Sequence, residues 1–431
     1  MKLEKGRGFT RIIGVVGVAF LLFMLGLFLG VQSLPPAKQL KNVIDSTGQI
    51  KSLAVAAFKS RPDQHLSRRW YPEDGVTIAD PARMEPGVTF ISGLFGQRLG
   101  FRLFGADGQL LYDWPIDFFK IAPEKMEHRY HALIHGALLF PDGDVVANLD
   151  GRGMVRFDAC GRVKWMNEDR THHSIFADES GVLWAPTGVV EYDKPTLANV
   201  IFRVDRIASF DPETGAKLSE IDLVEAIEKS DRIGLIQDMY RLKDDVVHLN
   251  DIEVLSAAIA SAFPTFNAGD ILVSLRNLKQ LWVLDGSTHE IKWISAGPTI
   301  GQHDPNFEPD GTISVLDNRP LSSINAPDGY PGVHGGSRIL AIDPADGTHR
   351  TLYRGDAQNT FYTPYRGKFQ RLANGNLLIA ETDAGRAFEV TPAGDVVWSY
   401  VNGWDAENVG WVLDIGRYPA DYGDFAGKSC N

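Results

Sequence analysis

The pattern of apolar and polar positions divides the chain into two unlike parts. Residues 12–32 read IIGVVGVAFLLFMLGLFLGVQ, an apolar run without a charge, close to the ~20 residues that cross a bilayer as a helix. Leu40, Val43, Ile50, Leu53 and Ala57 then recur at spacings near those of one helix face, which predicts a helical stalk. Residues 60–86 are rich in Pro and Arg and read as a linker. From about Gly87 onward the pattern changes, and short β-rich runs alternate with turn residues.

Those turns fall into two recurring sets. The first holds PDGDVV from Pro141, ESGVLW from Glu179, AGDILV from Ala268, PDGTISV from Pro309 and NGNLLI from Asn374. The second holds ADGQLLYDW from Ala106, ACGRVKW from Ala159, PETGAKL from Pro212, DGSTHEIKW from Asp285, PADGTHRTL from Pro344 and PAGDVVW from Pro392. Two hairpins per repeat make a four-stranded unit, and six such units fit before the C-terminus. The expected class is therefore all-β, a six-bladed β-propeller occupying residues 87–431. A seventh blade stays open, because repeats three to five carry insertions. Helix is expected only in the anchor, the stalk, and segments 223–242 and 256–262.

Composition and charge narrow the partners. A chain of 431 residues with 43 Gly and 23 Pro suits a repeat architecture better than one ordinary compact domain. A net charge of −12 argues against nucleic acid, whose phosphates need clustered Lys and Arg. Lys2, Lys5, Arg7 and Arg11 precede the apolar run, which keeps residues 1–11 in the cytoplasm and exports the rest. The expectation is a single-pass protein of the inner or plasma membrane, anchored by residues 12–32, with residues 33–86 as stalk and linker and a periplasmic or extracellular propeller. A cleaved signal peptide is the rival, but its apolar region is usually ~7–15 residues and ends in small residues, whereas Leu34-Pro35-Pro36 follows here. Gly26 and Gly30 form a GxxxG pair that fits a homo-oligomer or a membrane-protein complex. Cys160 and Cys430 either pair or stay as two thiols; spacing does not decide.

The candidate chemistry lies in the histidines. His135, His173 and His303 each stand eight residues before the Gly of a first turn, namely Gly143, Gly181 and Gly311. Repeats arranged about an axis bring equivalent side chains to one place, so these imidazoles are expected in the central channel. His248, which opens HLNDIEVL, joins them if the insertion before Gly269 merely lengthens its spacing. Imidazole serves as acid, base, nucleophile or metal ligand. Arg319 follows His303 by one hairpin, and an Arg fork beside a His suits a transferred sulfuryl or phosphoryl group; the plainer alternative pairs Arg319 with a carboxylate such as Asp317. Arg276 has a similar place in the fourth repeat. His128, His131 and His135 have helical spacing, but no cysteine pair or carboxylate motif accompanies them, so no metal is expected there. A metal held by the blade histidines stays open with no warrant beyond their number, and no cofactor is expected.

In order, HLNDIEVL, GDILVSLRNLKQLWVLDGSTHEIKW, QHDPNFEPDGTISVLDNR and GKFQRLANGNLLIAETDAGRAFEVTPAGDVVW resemble the arylsulfotransferase family. The resemblance implies a six-bladed propeller and exported enzymes that move a sulfuryl group from a phenolic sulfate ester to another phenol. The family does so through a sulfated histidine and without the nucleotide sulfate donor. It implies His303 and Arg319 as members of the catalytic channel set, with His248 and His173 as further members; Arg276, His135, Asn250, Asn318 and Gln370 are the positions expected about a small phenolic or sulfated ligand. One feature departs from the family: its nucleophilic histidine comes late in the chain, whereas the eight-residue offset in the sixth repeat lands here on Gly367, with Arg366 and Gln370 as polar neighbours. Two functions follow, a membrane-anchored sulfotransferase or a non-catalytic propeller that binds a ligand or partner protein at the membrane. A quinone-dependent dehydrogenase propeller would need a regular Trp-docking repeat, which the chain lacks.

Overall fold

The second strand of most blades is buried along its length, and the outermost strand of several blades is polar. Ile271–Leu275 and Leu377–Glu381 are buried at every position, whereas Lys217–Asp222 and His349–Arg354 at the rim are mostly exposed. That gradient suits sheets set radially about an axis, where only the last strand meets water. The computed structural model describes residues 61–121, 130, 132–193, 201–236, 245–320, 336–356, 358–427 and 430, together with Phe20, Leu21, Phe23 and Met24. Arg61–Asn431 forms one compact unit and Met1–Ser60 another.

The larger unit is a six-bladed propeller of antiparallel sheets. Blade 2 runs outward from the axis through Ile134–Leu139, Val145–Leu149, Met154–Phe157 and Val163–Asn167. Blade 3 begins at Phe176–Ala177, blade 4 at Leu249–Val254, blade 5 at His303–Phe307 and blade 6 at Phe369–Arg371. Blade 1 is assembled from both ends of the chain: Val412–Tyr418 is its innermost strand and pairs with Val88–Phe95. The core consists of six hydrophobic clusters, one between each pair of neighbouring blades. Phe90, Trp114 and Phe157 seal blades 1 and 2, for example, while Trp282 and Ile207 seal blades 3 and 4. The expected turns all join the strands assigned to them. In the first-turn set Gly143, Gly181, Gly269, Gly311 and Gly375 share φ between 81 and 89°, a conformation that disfavours any residue with a Cβ.

The expected linker is structured. Leu66–Arg68 pairs with Asn408–Gly410, and Gly75–Ala79 adds a fifth strand to the outside of blade 6. The propeller unit therefore begins near Arg61 rather than Gly87. Among the described residues of segment 223–242, an α-helix spans Leu223–Lys229, started by the Asp222 carboxylate on the amides of Val224 and Glu225, and a 3-10 turn spans Ile233–Leu235. Segment 256–262 holds only a short 3-10 turn at Ala260–Ala262. The expected anchor and stalk lie outside the described residues, except that Phe20, Leu21, Phe23 and Met24 are helical and exposed. Among the described residues no helix is long and apolar enough to cross a membrane.

Cys160 and Cys430, left open by the sequence, form a disulfide with Cα atoms 5.4 Å apart. It joins the C-terminal tail to the outer turn of blade 2 across 270 positions of sequence, a loop long enough for the cross-link to restrict the unfolded chain strongly. Cys160→Ser should lower unfolding stability by roughly 2–4 kcal/mol, read as the shift in a urea midpoint, and a reductant should reproduce that shift in the wild type but not in the variant.

Candidate functional site: the axial channel

The inner strands carry the site because their hairpins share one register. The last pairs of the first hairpins are Tyr418 with Val88, Leu139 with Val145, Ala177 with Leu183, Val254 with Ile271, Phe307 with Ile313, and Arg371 with Leu377. Counting four residues back from each first-named partner reaches Asp414, His135, His173, Asn250, His303 and Gly367. The ladder slips next to this ring in several blades, between Ile134 and Ala137, Leu249 and Asp251, His303 and Asn306, and Val412 and Asp414. Such bulges re-aim side chains at the end of a strand. Four non-glycine residues near the channel, His173, His248, Asp304 and Arg319, have φ between 51 and 56°, a conformation that persists only where the surroundings hold it.

The four histidines converge as expected. The His135 and His173 rings stack with centroids 4.5 Å apart, and His248 meets His173 edge-on at 4.9 Å. His303 stands in the field of His248 and His135. His248 is not the fourth-blade equivalent, however. Register gives that place to Asn250, and His248 arrives from two residues earlier, with its Nδ1 on the Asp245 carboxylate. His172, adjacent to the ring, contacts His173 Nδ1 to Nδ1 at 2.8 Å and faces Asp205 with Nε2 at 3.4 Å.

His303 is the most defined of the set. Its Nδ1 lies 2.7 Å from Asn318 Oδ1, and the Asn318 amide is itself fixed by donating to the carbonyls of Thr363 and Arg366. Since the Asn318 oxygen can only accept, Nδ1 carries the proton and Nε2 keeps its lone pair. Burial lowers the His303 pKa well below 6.5; the Asn318 bond opposes this, and Arg276, His248 and His135 add to it. Burial likewise holds His173 well below 6.5, helped by the neighbouring imidazoles. His172 moves the other way, because Asp205, Asp150 and Asp245 outweigh its burial.

The predicted cations behave differently. Arg319 lies 3.8 Å from Asp317, beyond hydrogen-bond reach, with its Nε buried and unpartnered and with Arg338 and Arg354 as further charged neighbours. His303 has Arg276 as its charged Arg neighbour instead. Arg276 Nε is buried with no hydrogen-bond partner, and so is the Nε of Arg366, whose guanidinium stacks 4.3 Å above Trp411. Arg366 lines a small cavity of about 20 Å³ together with His135, His173, Asn250 and His303. Asn250 donates to Gln302 O and leaves its own oxygen without a partner. Gln370 is structural: it exchanges two hydrogen bonds with the Arg417 backbone and ties blade 6 to blade 1.

Below the histidines lies a charged floor that the sequence reading missed. Lys368 Nζ is 3.2 Å from Asp251 and 3.0 Å from Asp304, within the field of Asp414. Burial works against the ammonium, but the three carboxylates outweigh it and hold its pKa well above the ordinary value. Burial pushes Asp414 up to about 6 and raises Asp251 and Glu253 as well. The signal was available: Lys368 stands seven residues before Gly375, and Asp304 seven before Gly311. His128 and His131 lie outside the described residues. His135, Asp150 and His173, by contrast, place one ligand atom each within 4.8 Å of one another.

The profile of the family arylsulfotransferase (ASST) matches residues 136–403, more than half of the chain. The chain belongs to the arylsulfotransferase family. No curated protein matches it. Among solved structures, a Bacteroides caccae protein of unknown function is similar at 12% identity and TM-score 0.47, over 77% of this chain and 98% of that one. Virginiamycin B lyase from Staphylococcus aureus is similar at 10% identity and TM-score 0.35, over 63% of this chain and 71% of the lyase. Kuenenia stuttgartiensis hydrazine synthase is similar at 11% identity and TM-score 0.42, over 70% and 73% of the two chains.

In this arylsulfotransferase-family chain the sixth position of the ring cannot hold the family's late histidine. A Cβ on Gly367, at φ 114°, would stand 2.9 Å from Ala380 O and 3.0 Å from both Leu316 and Thr363 side-chain carbons. Neighbouring Lys368 is equally constrained. Lys368→Met should destabilise the fold by about 3–5 kcal/mol, because it leaves buried carboxylates without their counter-charge; chemical unfolding monitored by tryptophan fluorescence measures this directly.

Proposed function

We propose that the channel transfers a sulfuryl group from a phenolic sulfate ester to a second phenol, with His303 as the nucleophile. The observation that carries this reading is the tautomer of His303, whose Nδ1 proton is fixed on Asn318 while a neutral Nε2 is left free at a cavity wall. Nε2 would attack sulfur as the ester S–O bond breaks, giving an N-sulfated His303 and a phenolate. The acceptor phenol oxygen would then attack the same sulfur, restoring the imidazole and releasing the new ester. Arg276, the Arg in the field of His303, and Arg366, which lines the cavity, are the cations assigned to bind sulfuryl oxygens, in preference to Arg319, whose charged neighbours are Asp317, Arg338 and Arg354. His248, held by Asp245, is the group assigned to give the leaving phenolate its proton and to take one from the acceptor. Residues 12–32 would hold the propeller at the outer face of the inner or plasma membrane, where exported phenols reach it.

One observation favours a second reading, a propeller that binds a sulfated ligand without turning it over: the family's late nucleophile is absent and Gly367 stands in its place. Acceptor-dependent release of a coloured phenol from an aryl sulfate, by the full-length protein in detergent, separates the two. His303→Ala should lower kcat by on the order of a thousandfold or more, whereas Arg319→Ala should leave most of the rate. A neutral nucleophile with a lowered pKa is competent at every pH above that pKa. The rate should therefore stay level from about pH 8 down to about pH 6, where an ordinary histidine near 6.5 would already be mostly protonated. A fall in rate centred near 6.5 and carried by His303 would contradict the assignment. No turnover by folded protein, with saturable aryl sulfate binding, would establish the second reading.

A further inference from the structure

We propose that His135, His173 and Asp150 form a binding site for one divalent transition-metal ion, Zn²⁺ in type, at the upper wall of the channel. Their ligand atoms lie within 4.8 Å of one another, and they come from two adjoining blades. His135 leads the first strand of blade 2, Asp150 follows its second strand, and His173 precedes the first strand of blade 3. Two imidazoles and a carboxylate are a donor set suited to zinc, iron or cobalt.

Three features make this more than proximity. First, His135 Nδ1 is buried without a hydrogen-bond partner, although the Asp150 carboxylate stands 3.5 Å away. That separation is too long for a good hydrogen bond, and an ion bonded to both atoms at the usual ~2 Å would span it from one side. Second, His173 is backed by a chain of the kind that orients metal-bound imidazoles. Its Nδ1 meets His172 Nδ1 at 2.8 Å, and His172 Nε2 faces Asp205 at 3.4 Å, which leaves Nε2 of His173 as the ligand atom. Third, the His173 backbone at φ 56° is held in a conformation that its own side chain disfavours, and it is this conformation that lays the ring against His135. His248, edge-on to His173, has its Nδ1 on Asp245 and completes the wall with a free Nε2. The remaining coordination positions would open toward the channel, where Arg366 stands in the field of Asp150. The site thus takes an ion together with an anionic oxygen from a bound ligand, and it does not depend on His303 accepting a sulfuryl group.

The test uses full-length protein in detergent, stripped with a chelator and titrated with Co²⁺ while visible absorption is recorded. One equivalent should bind and give ligand-field bands, which Zn²⁺ then displaces. His135→Gln and Asp150→Asn should each weaken Co²⁺ binding at least about tenfold, whereas His303→Gln should keep the stoichiometry and the bands. A reading that needs no variant accompanies this: Zn²⁺ should raise the wild-type thermal midpoint, and a chelator should reverse the rise. Absence of saturable Co²⁺ binding by folded wild type would overturn the proposal. So would equal affinity in wild type, His135→Gln and Asp150→Asn, which would place the ion elsewhere.

Discussion

One buried ammonium organises the axis of this propeller. Lys368 from blade 6 bonds Asp251 from blade 4 and Asp304 from blade 5, and it lies in the field of Asp414 from blade 1. Four of the six innermost strands therefore meet on a single charge. Burying an ion costs several kcal/mol, and only good pairing offsets it. Pairing here needs every blade at its proper angle and height. Apolar seams such as Trp282 against Ile207 supply the bulk of the cohesion, but they tolerate small slides. A multiply bonded ammonium does not, so the charged floor sets the register on which the channel above it depends.

Precision at the channel mouth has a second source. The inner strands bulge where they reach the axis, and His173, His248 and Asp304 take left-handed backbone conformations there. Asp304 shows why both devices are needed together. Its two oxygens serve the Lys368 ammonium and the Phe369 amide at once, and the bulge after His303 turns His303 toward Asn318. The His303 imidazole and the Asn318 amide are thus fixed before any ligand arrives, and the Arg366 guanidinium is held on the Trp411 ring. In the proposed sulfuryl transfer, prearranged dipoles and charges of this kind would stabilise the negative charge that develops on the sulfuryl oxygens.

Much of the fold was legible because its signals are local. An Asp-Gly or Asn-Gly turn followed by a short apolar run is read from neighbouring residues, and it recurs often enough to count blades. Convergence of His135, His173 and His303 was legible for the same reason, since one offset from one turn repeats. The misses share a different cause. Arg319 follows His303 by one hairpin, yet its charged neighbours are Asp317, Arg338 and Arg354, and Arg276 is the Arg in the field of His303. His248 was counted as an equivalent, whereas an insertion before Gly269 hid the fact that Asn250 holds that register. Arg366 and Lys368 flank a glycine where a histidine was sought, and their partners come from other blades. Gly75–Ala79 read as linker because its pairing strand lies more than 300 positions away. Long-range pairing of charges and strands leaves no periodic mark in the sequence.

The account rests on His303 as the residue that receives the transferred group. Full-length protein mixed with an aryl sulfate in the absence of acceptor, quenched in alkali and examined by peptide mass spectrometry, tests this most directly. One added sulfuryl group on the peptide carrying His303, lost when a phenol is supplied, is the predicted result. A sulfuryl group on His135, His173 or His248, with His303 unmodified, would contradict it.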